Sequence, residues 1–292
     1  MAAADADLEH IKPLLVSLQT SPERDTSLAA LAADYGCAPT TFHRLFKDAT
    51  GETPHEHVNR MRLERAAYKL AVTDQSVLDV ALSVGFKNHE TFTRAFRRHY
   101  GKSPAAWRRA SADALSKRSE KQPAPEGCTI SDTSFVTLKP MALLAWRRVG
   151  PYGTFSPPRF DGAASDWSPL LDEAQRQNIR HRPLALVISY DNPFATPPHL
   201  QQLDACVPLL DQAAEPSGQV IRKITFDGGQ FGAIEHRGPP ETLVQAYMAL
   251  VNAIVASKRH RMRDGPPLEI LRELSDDPMQ RVTEIYIPAE RV

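Results

Sequence analysis

One pattern occurs twice between Leu28 and Arg109, and it restricts the fold more than any other stretch. The first copy holds Leu28-Ala29-Ala30-Leu31-Ala32, Tyr35-Gly36-Cys37, Thr41-Phe42-His43-Arg44-Leu45-Phe46-Lys47 and Gly51-Glu52-Thr53-Pro54. The second holds Val77-Leu78-Asp79-Val80-Ala81, Val84-Gly85-Phe86, Thr91-Phe92-Thr93-Arg94-Ala95-Phe96-Arg97 and Gly101-Lys102-Ser103-Pro104. Arg44 and Arg94, Phe46 and Phe96, and Gly51 and Gly101 are each 50 residues apart. In each copy a short apolar helix meets a glycine, which closes a helix at little steric cost. A second helix follows, opened in the second copy by the N-cap residue Asn88. The pattern predicts two helix-turn-helix units in series.

Within the second helix of each unit, the two phenylalanines are four residues apart and share a buried face. The opposite face of the first unit carries Thr40, Thr41, His43, Arg44 and Lys47. That of the second carries Asn88, His89, Glu90, Thr93, Arg94, Arg97 and Arg98. Such a helix suits a major groove, with its N-terminal part on base edges and its basic end near phosphates. Arg44 and Arg94 are the expected base readers, guanine first, while Lys47, Arg97 and Arg98 hold phosphates. A bundle whose basic residues form only a solvated face is the competing reading. A single glycine turn would favour it; two matched copies do not.

The phrase Val84-Gly85-Phe86-Lys87-Asn88-His89-Glu90-Thr91-Phe92-Thr93-Arg94-Ala95-Phe96, followed by Tyr100-Gly101-Lys102-Ser103-Pro104, resembles the signature of the AraC/XylS family of transcriptional regulators. The resemblance covers roughly residues 22 to 110. It implies double-stranded promoter DNA as partner, activation as the habit of regulation, and RNA polymerase as a further partner. It also implies that the helical run from His55 to Ala71 is a rigid connector. That spacer must place two recognition helices on one face of the duplex, about one turn (~34 Å) apart.

A chain of 292 residues suggests two domains. The net charge of zero hides an asymmetry: residues 39–110 hold 13 Lys/Arg against 7 Asp/Glu, and residues 122–292 hold 17 against 20. A basic block beside a mildly acidic one suits a nucleic-acid module joined to a part that should avoid DNA. Cys37, Cys128 and Cys206 lack metal-ligand spacing and form no disulfide framework, so no metal and no cofactor is expected. No apolar run of 18 residues suggests a membrane span. No Lys or Arg precedes Lys12, unlike a secretory signal, so the expected compartment is the cytoplasm. Leu8, Ile11, Leu14, Leu15 and Leu18 predict a first helix, which Pro13 either begins or breaks. The expected domains are a tandem helix-turn-helix module at 1–110, a linker at 111–134 rich in Ser, Ala, Lys, Glu and Pro, and a second domain at 135–292.

The second domain repeats internally. A strand-like run at 136–148 closes in Val149-Gly150-Pro151-Tyr152, and about 88 residues later a run at 224–236 closes in Arg237-Gly238-Pro239-Pro240. Each Gly-Pro leads to a helical stretch, 161–178 and 241–258, then to a strand, 184–190 and 268–274. Turns at Asp191-Asn192-Pro193 and Asp276-Asp277-Pro278 precede a last strand, 205–210 and 281–288. The expected fold is therefore multidomain: an all-α tandem helix-turn-helix domain, then an α+β domain of two β-α-β-β halves with pseudo-two-fold symmetry. A groove between such halves is the usual ligand site.

Gly150-Pro151-Tyr152, Asp191-Asn192-Pro193, Asp227-Gly228-Gly229-Gln230-Phe231, His236-Arg237-Gly238-Pro239, Pro267-Leu268-Glu269 and Thr283-Glu284-Ile285-Tyr286-Ile287-Pro288, in that order, resemble the GyrI-like small-molecule-binding domain. The resemblance implies a small-molecule effector, cationic or aromatic, with Glu269 at the centre of its pocket. The sequence departs from that pattern at Leu271, where an aromatic is common, and at Ile254-Val255-Ala256-Ser257, where a Trp is common. A lone strand Glu otherwise faces solvent. A carboxylate in an apolar cleft is costly unless paired, so a cation would supply the missing charge, with rings adding cation–π attraction. Candidate rings are Tyr152, Trp146, Phe155 and Tyr190, with Phe160 and Trp167 behind them, and each is also a natural core residue. His236 is expected to be a partly exposed strand residue. Two other functions compete: a hydrolase in which Glu269 activates water, and a module that sequesters a drug. No second activated residue stands at readable spacing, so no catalytic residue is named.

Overall fold

The computed structural model describes residues 2–20, 24–117, 127–152, 156–191, 196–218 and 220–292. The chain divides into two compact units, Met1–Ser111 with Asp191–Leu200, and Ala112–Tyr190 with Gln201–Val292. The helical unit is thus completed by ten residues from much later in the chain. Gln122 to Glu126, Phe155 and Asn192-Pro193 lie outside the described residues.

The helical unit runs α1 (Ala2–Thr20), α2 (Leu28–Tyr35), α3 (Pro39–Thr50), α4 (Pro54–Val72), α5 (Val77–Ser83) and α6 (His89–Tyr100), with α7 (Pro104–Lys117) following. Pro13 stands inside α1 and does not end it. Polar caps define the starts. Ser27 accepts from Ala30 N, Ser76 from Asp79 N and Asn88 from Thr91 N, while Thr53 and Glu56 form a reciprocal capping box. Ile11, Leu15, Leu31, Phe42 and Phe46 are buried in the first repeat. Leu63, Ala66 and Leu70 of α4 pack with Val80, Val84, Phe92 and Phe96 in the second. Nineteen residues of α4 give the connector a length of roughly 28 Å. Trp107 Nε1 donates to Ala67 O at 3.1 Å and Arg108 Nε to Leu70 O at 3.2 Å, so α7 clasps the far end of α4.

The turn between α5 and α6 depends on Gly85. Its φ is 92°, and a Cβ there would lie 2.8 Å from Arg62 Nε. Gly36, its counterpart, has φ 79° and open space around the missing Cβ. Gly36→Ala is expected to cost about 1 kcal/mol from the left-handed backbone alone. Gly85→Ala is expected to cost about 2 kcal/mol, because Arg62, which bonds Thr26 Oγ1, must also move. Equal midpoint shifts in chemical denaturation would contradict this ranking.

The second unit holds β1 (Thr129–Ile130), β2 (Ser134–Leu138), β3 (Met141–Val149), α8 (Ser168–Arg176), β4 (Ala185–Ser189), β5 (Gln202–Pro208), β6 (Arg222–Phe226), β7 (Gly229–Arg237), α9 (Leu243–Ala256), β8 (His260–Met262), β9 (Leu268–Glu273) and β10 (Val282–Arg291). Each half opens with two strands where the apolar pattern predicted one, because the run breaks at Lys139-Pro140 and at Asp227-Gly228 and its two pieces pair with different strands. The pairs begin 88 residues apart, β2 with β6 and β3 with β7. The first-half helix is shorter than the predicted 161–178; Pro169 in its first turn marks the start. The residues predicted as a tether are helical to Lys117, and β1 begins at Thr129.

The sheet order is β1-β7-β10-β9-β4-β5-β3-β6, with β2 also on β7 and β8 on β10. All its pairings are antiparallel, and β4 and β9 join the halves at the centre. β2 pairs with β7 of the other half, and β6 pairs with β3. The halves therefore exchange their first strands. One face carries the helices: Trp167, which caps α8, and Leu170 and Ala174 of α8 pack on Leu144, Ala205 and Val207. At Gly232, a Cβ would meet Ile254 Cδ1 at 2.7 Å, so α9 sits directly on the β7 backbone.

His236 departs from its expected partial exposure. It is 1% exposed, and its Nε2 lies 2.7 Å from Thr242 Oγ1. The Thr242 hydroxyl already donates to Pro239 O, so His236 supplies the proton and secures the second Gly-Pro turn.

Candidate functional site

Two sites emerge, one in each unit. In the helical unit, Phe42 and Phe46 of α3 and Phe92 and Phe96 of α6 are fully buried. That fixes the rotation of both helices. Thr40, Arg44 and Lys47 are then exposed, and Thr41 and His43 half-buried. On α6, His89, Glu90, Arg94, Arg97 and Arg98 are exposed together with the cap residue Asn88, and Thr93 is half-buried. Both helices therefore present a polar, largely basic face with equivalent arginines. Glu90 sits in the first turn of α6, and Arg97, Arg98 and His99 in its last, in keeping with the helix dipole.

In the second unit, antiparallel partners point to the same side of the sheet. The pairs Trp146 with Ala205, Ala205 with Val187, Val187 with Glu269, Glu269 with Ile285 and Ile285 with Ile234 form one row. Glu269 is the single charge in that row, and it faces the helices. Tyr247 of α9 donates its hydroxyl to Glu269 Oε1 at 2.7 Å. Burial pushes the Glu269 carboxyl up, partly offset by the Tyr247 hydrogen bond. Burial, then the facing carboxylate, pushes the Tyr247 phenol well up. Tyr152 lies near enough to add to that shift, and its own hydroxyl donates to Gln202 O at 2.9 Å. Both Glu269 and Tyr247 keep accessible surface. The arrangement offers a carboxylate, two phenols and small residues, Val187 and Ala205, along the floor.

The predicted ring residues are not brought together as one set. Tyr152 is close to Tyr247, while Trp146 shares the row but stands three strand spacings, roughly 14 Å, from Glu269. Phe155 is outside the described residues. Tyr190 lies on the other face, with Leu186 and Ile188. There its hydroxyl donates to Asp204 Oδ2 at 2.6 Å, and Arg147 stacks 4.5 Å over its ring. Tyr247 lies within the helical stretch predicted at 241–258 and is not among the expected ligand contacts. Its spacing gave no sign that its hydroxyl reaches β9, 22 residues later. No group of three or more His, Cys, Asp or Glu among the described residues is arranged to hold a metal. No described helix is long and apolar enough to cross a membrane.

A carboxylate with a raised pKa destabilises the empty site as it ionises. That stability is present below the unfolded glutamate pKa, about 4.3, and falls as pH rises through the higher folded value. Glu269→Gln keeps an acceptor for Tyr247 and is expected to stabilise the ligand-free protein at pH 7 by about 0.5–2 kcal/mol. A lower melting temperature for Glu269→Gln at pH 7 would contradict this.

Two helix-turn-helix units, followed by a two-half domain with a half-buried acid among phenols, define the class of a DNA-binding transcriptional regulator. Residues 31–110 match a helix-turn-helix domain family, and residues 131–290 match the GyrI-like small molecule binding domain. The chain belongs to the AraC-type transcriptional regulators that carry a GyrI-like domain. It is similar to the transcriptional regulator Rob of Salmonella typhimurium, 34% identical over 135 residues, 46% of each chain. It is similar also to the right origin-binding protein of Escherichia coli, 35% identical over 100 residues, 34% of this chain and 35% of that one. Among solved structures, an AraC-type transcriptional regulator from Chromobacterium violaceum aligns at 26% identity and a TM-score of 0.34, over 38% of this chain and 97% of that one. The chain spans less than half the length of these two curated relatives.

Proposed function

We propose that this chain is a sequence-specific, DNA-binding transcriptional activator tuned by a small cationic or aromatic molecule held beside Glu269. The observation that carries the reading is the duplicated helix with buried phenylalanines and an exposed arginine at the same place in each copy. Thr40, Thr41, His43, Arg44 and Lys47 form one contact set with promoter DNA. Asn88, His89, Glu90, Thr93, Arg94, Arg97 and Arg98 form the other. Two reading heads in one chain allow a monomer to span two half-sites. Activation makes RNA polymerase a further partner, and the protein works in the cytoplasm.

In the second unit, Glu269 supplies charge and Tyr247 and Tyr152 supply rings. Trp146 is an outer wall, reached only by an extended ligand. A ligand shifts DNA binding only by favouring one of two arrangements of the protein. A planar aromatic monocation is expected to bind Glu269→Gln more weakly by about 1.5–3 kcal/mol, and its neutral isostere to bind both proteins alike. Glu269 has a phenol rather than an activated nucleophile as its hydrogen-bonded neighbour, which favours binding over hydrolysis.

Selection of genomic fragments by the purified protein tests the reading. Recovered fragments are expected to share one sequence and to lie beside promoters. Retention of no fragment even at low salt would favour a module that sequesters its ligand.

A further inference from the structure

The first recognition helix ends on a buried charge network that the second lacks. Glu52 follows the C-cap Gly51 of α3. Arg60 Nε donates to Glu52 Oε1 at 2.9 Å and Arg60 NH2 to Glu52 Oε2 at 3.1 Å. Arg60 NH1 donates to Glu64 Oε1 at 3.2 Å, and Thr196 Oγ1 donates to the other oxygen of Glu64. His57, Arg60 and Glu64 are all buried. Burial alone would push the Glu52 carboxyl up, but His57 and Arg60 outweigh it and hold the group at about 2. His57 Nδ1 is 3.0 Å from Glu52 Oε2, so the neutral ring carries its proton there and donates. Nε2 is then a buried acceptor without a hydrogen-bond partner among the described residues. The ring meets Phe46 of α3 edge-on, with centroids 5.3 Å apart and planes at 78°.

Fifty residues later the same positions are Lys102, Trp107 and Ala110. Trp107 meets Phe96 at 5.9 Å and 77°, the geometry His57 makes with Phe46. Lys102 is exposed. Each copy thus rests the second phenylalanine of its recognition helix on a ring at one repeat position. In the second copy Tyr100 holds that ring, Trp107, by a tilted aromatic contact with centroids 4.6 Å apart. In the first copy Glu52 and Arg60 hold it by charge.

We propose that Glu52 is a positioning residue for the first recognition helix: through His57 and Arg60 it fixes α3 on α4, and so sets where Arg44 and Lys47 meet DNA, while α6 is set by an apolar seat. The proposal rests on the DNA-binding reading. It makes the two heads unequal. Removing the charge at Glu52 unseats one half-site contact and leaves the other.

Hydroxyl-radical footprints of the full chain, on a genomic fragment that the wild-type protein retains, test this. Arg44→Ala and Arg94→Ala first identify which half-site belongs to α3 and which to α6. Glu52→Gln is expected to lose about tenfold in affinity or more, with protection fading over the α3 half-site and persisting over the α6 half-site. Lys102→Gln, the equivalent change in the second copy, is expected to shift affinity by less than about twofold. Circular dichroism establishes that each variant is folded. If Glu52→Gln is not, Glu52→Asp is read instead; it keeps the charge but falls short of Arg60, and the same one-sided loss is expected. Equal fading over both half-sites, or an unchanged footprint, overturns the proposal. A wild-type protein that retains no fragment overturns the DNA-binding reading, and the proposal with it.

Discussion

Arg44→Ala and Arg94→Ala combined are expected to weaken binding to a retained promoter fragment by about 2–6 kcal/mol. Each arginine contributes about 1–3 kcal/mol if it reads a base edge, and well-separated sites add. Both are exposed on α3 and α6, so neither change disturbs the buried phenylalanines beneath. Each single change should also relax base choice at one position of its own half-site. Titration against matched and single-base-altered fragments separates the two effects. An equal loss on every DNA sequence would mean that the arginines hold phosphates only. Lys47→Ala, by contrast, should weaken all sequences alike and lower the salt dependence by about one charge.

Asp204→Ala is expected to destabilise the second unit by about 3–5 kcal/mol. Asp204 is fully buried on β5. It accepts Arg147 Nε at 2.6 Å and Tyr190 at 2.6 Å, with Arg222 also donating to its second oxygen. Arg147 is only 3% exposed, so loss of the carboxylate strands a buried cation. Burial would push the Asp204 carboxyl up, but the Arg147 and Arg222 guanidiniums outweigh it and hold it below the usual range. A depressed carboxylate stabilises the fold above its unfolded pKa, about 3.9, and that contribution is lost as pH falls through the lower folded value. Glu52 behaves the same way in the helical unit, with its loss completed near pH 2. Asp204→Ala should therefore flatten the acid side of the stability curve of the second unit. A midpoint shift in denaturant of under about 1 kcal/mol would show that the network is worth little.

Much of the helical unit was legible because local rules agree there. Phe-x-x-x-Phe fixes the helix rotation, and Gly36, Gly85, Asn88 and Pro54 mark its boundaries. The network at Glu52 was not legible, since its charged members belong to one helix and the preceding turn, Thr196 joins them from 132 residues away, and only packing shows that they face inward. In the second unit the 88-residue repeat showed the symmetry. The extra strands were hidden because each break, Lys139-Pro140 and Asp227-Gly228, interrupts an apolar run only briefly. The resemblance to the GyrI-like domain points to Glu269, but nothing marks its partner Tyr247, because a helix-period tyrosine looks like core. Tyr190, one of the candidate rings, ends the strand predicted at 184–190. The period of two places it opposite Glu269, on the face where Asp204 takes its hydroxyl.

Strand exchange in the second unit carries a consequence for its biosynthesis. β2 leaves the ribosome about ninety residues before β7, its ladder partner, and at ordinary elongation rates that delay is roughly 5–20 seconds. Until then the first half has an unmatched edge and lacks β6 to cover β3. Neither half is a stable stopping point. Assembly of the sheet therefore waits for distant pairing, a topology that slows folding.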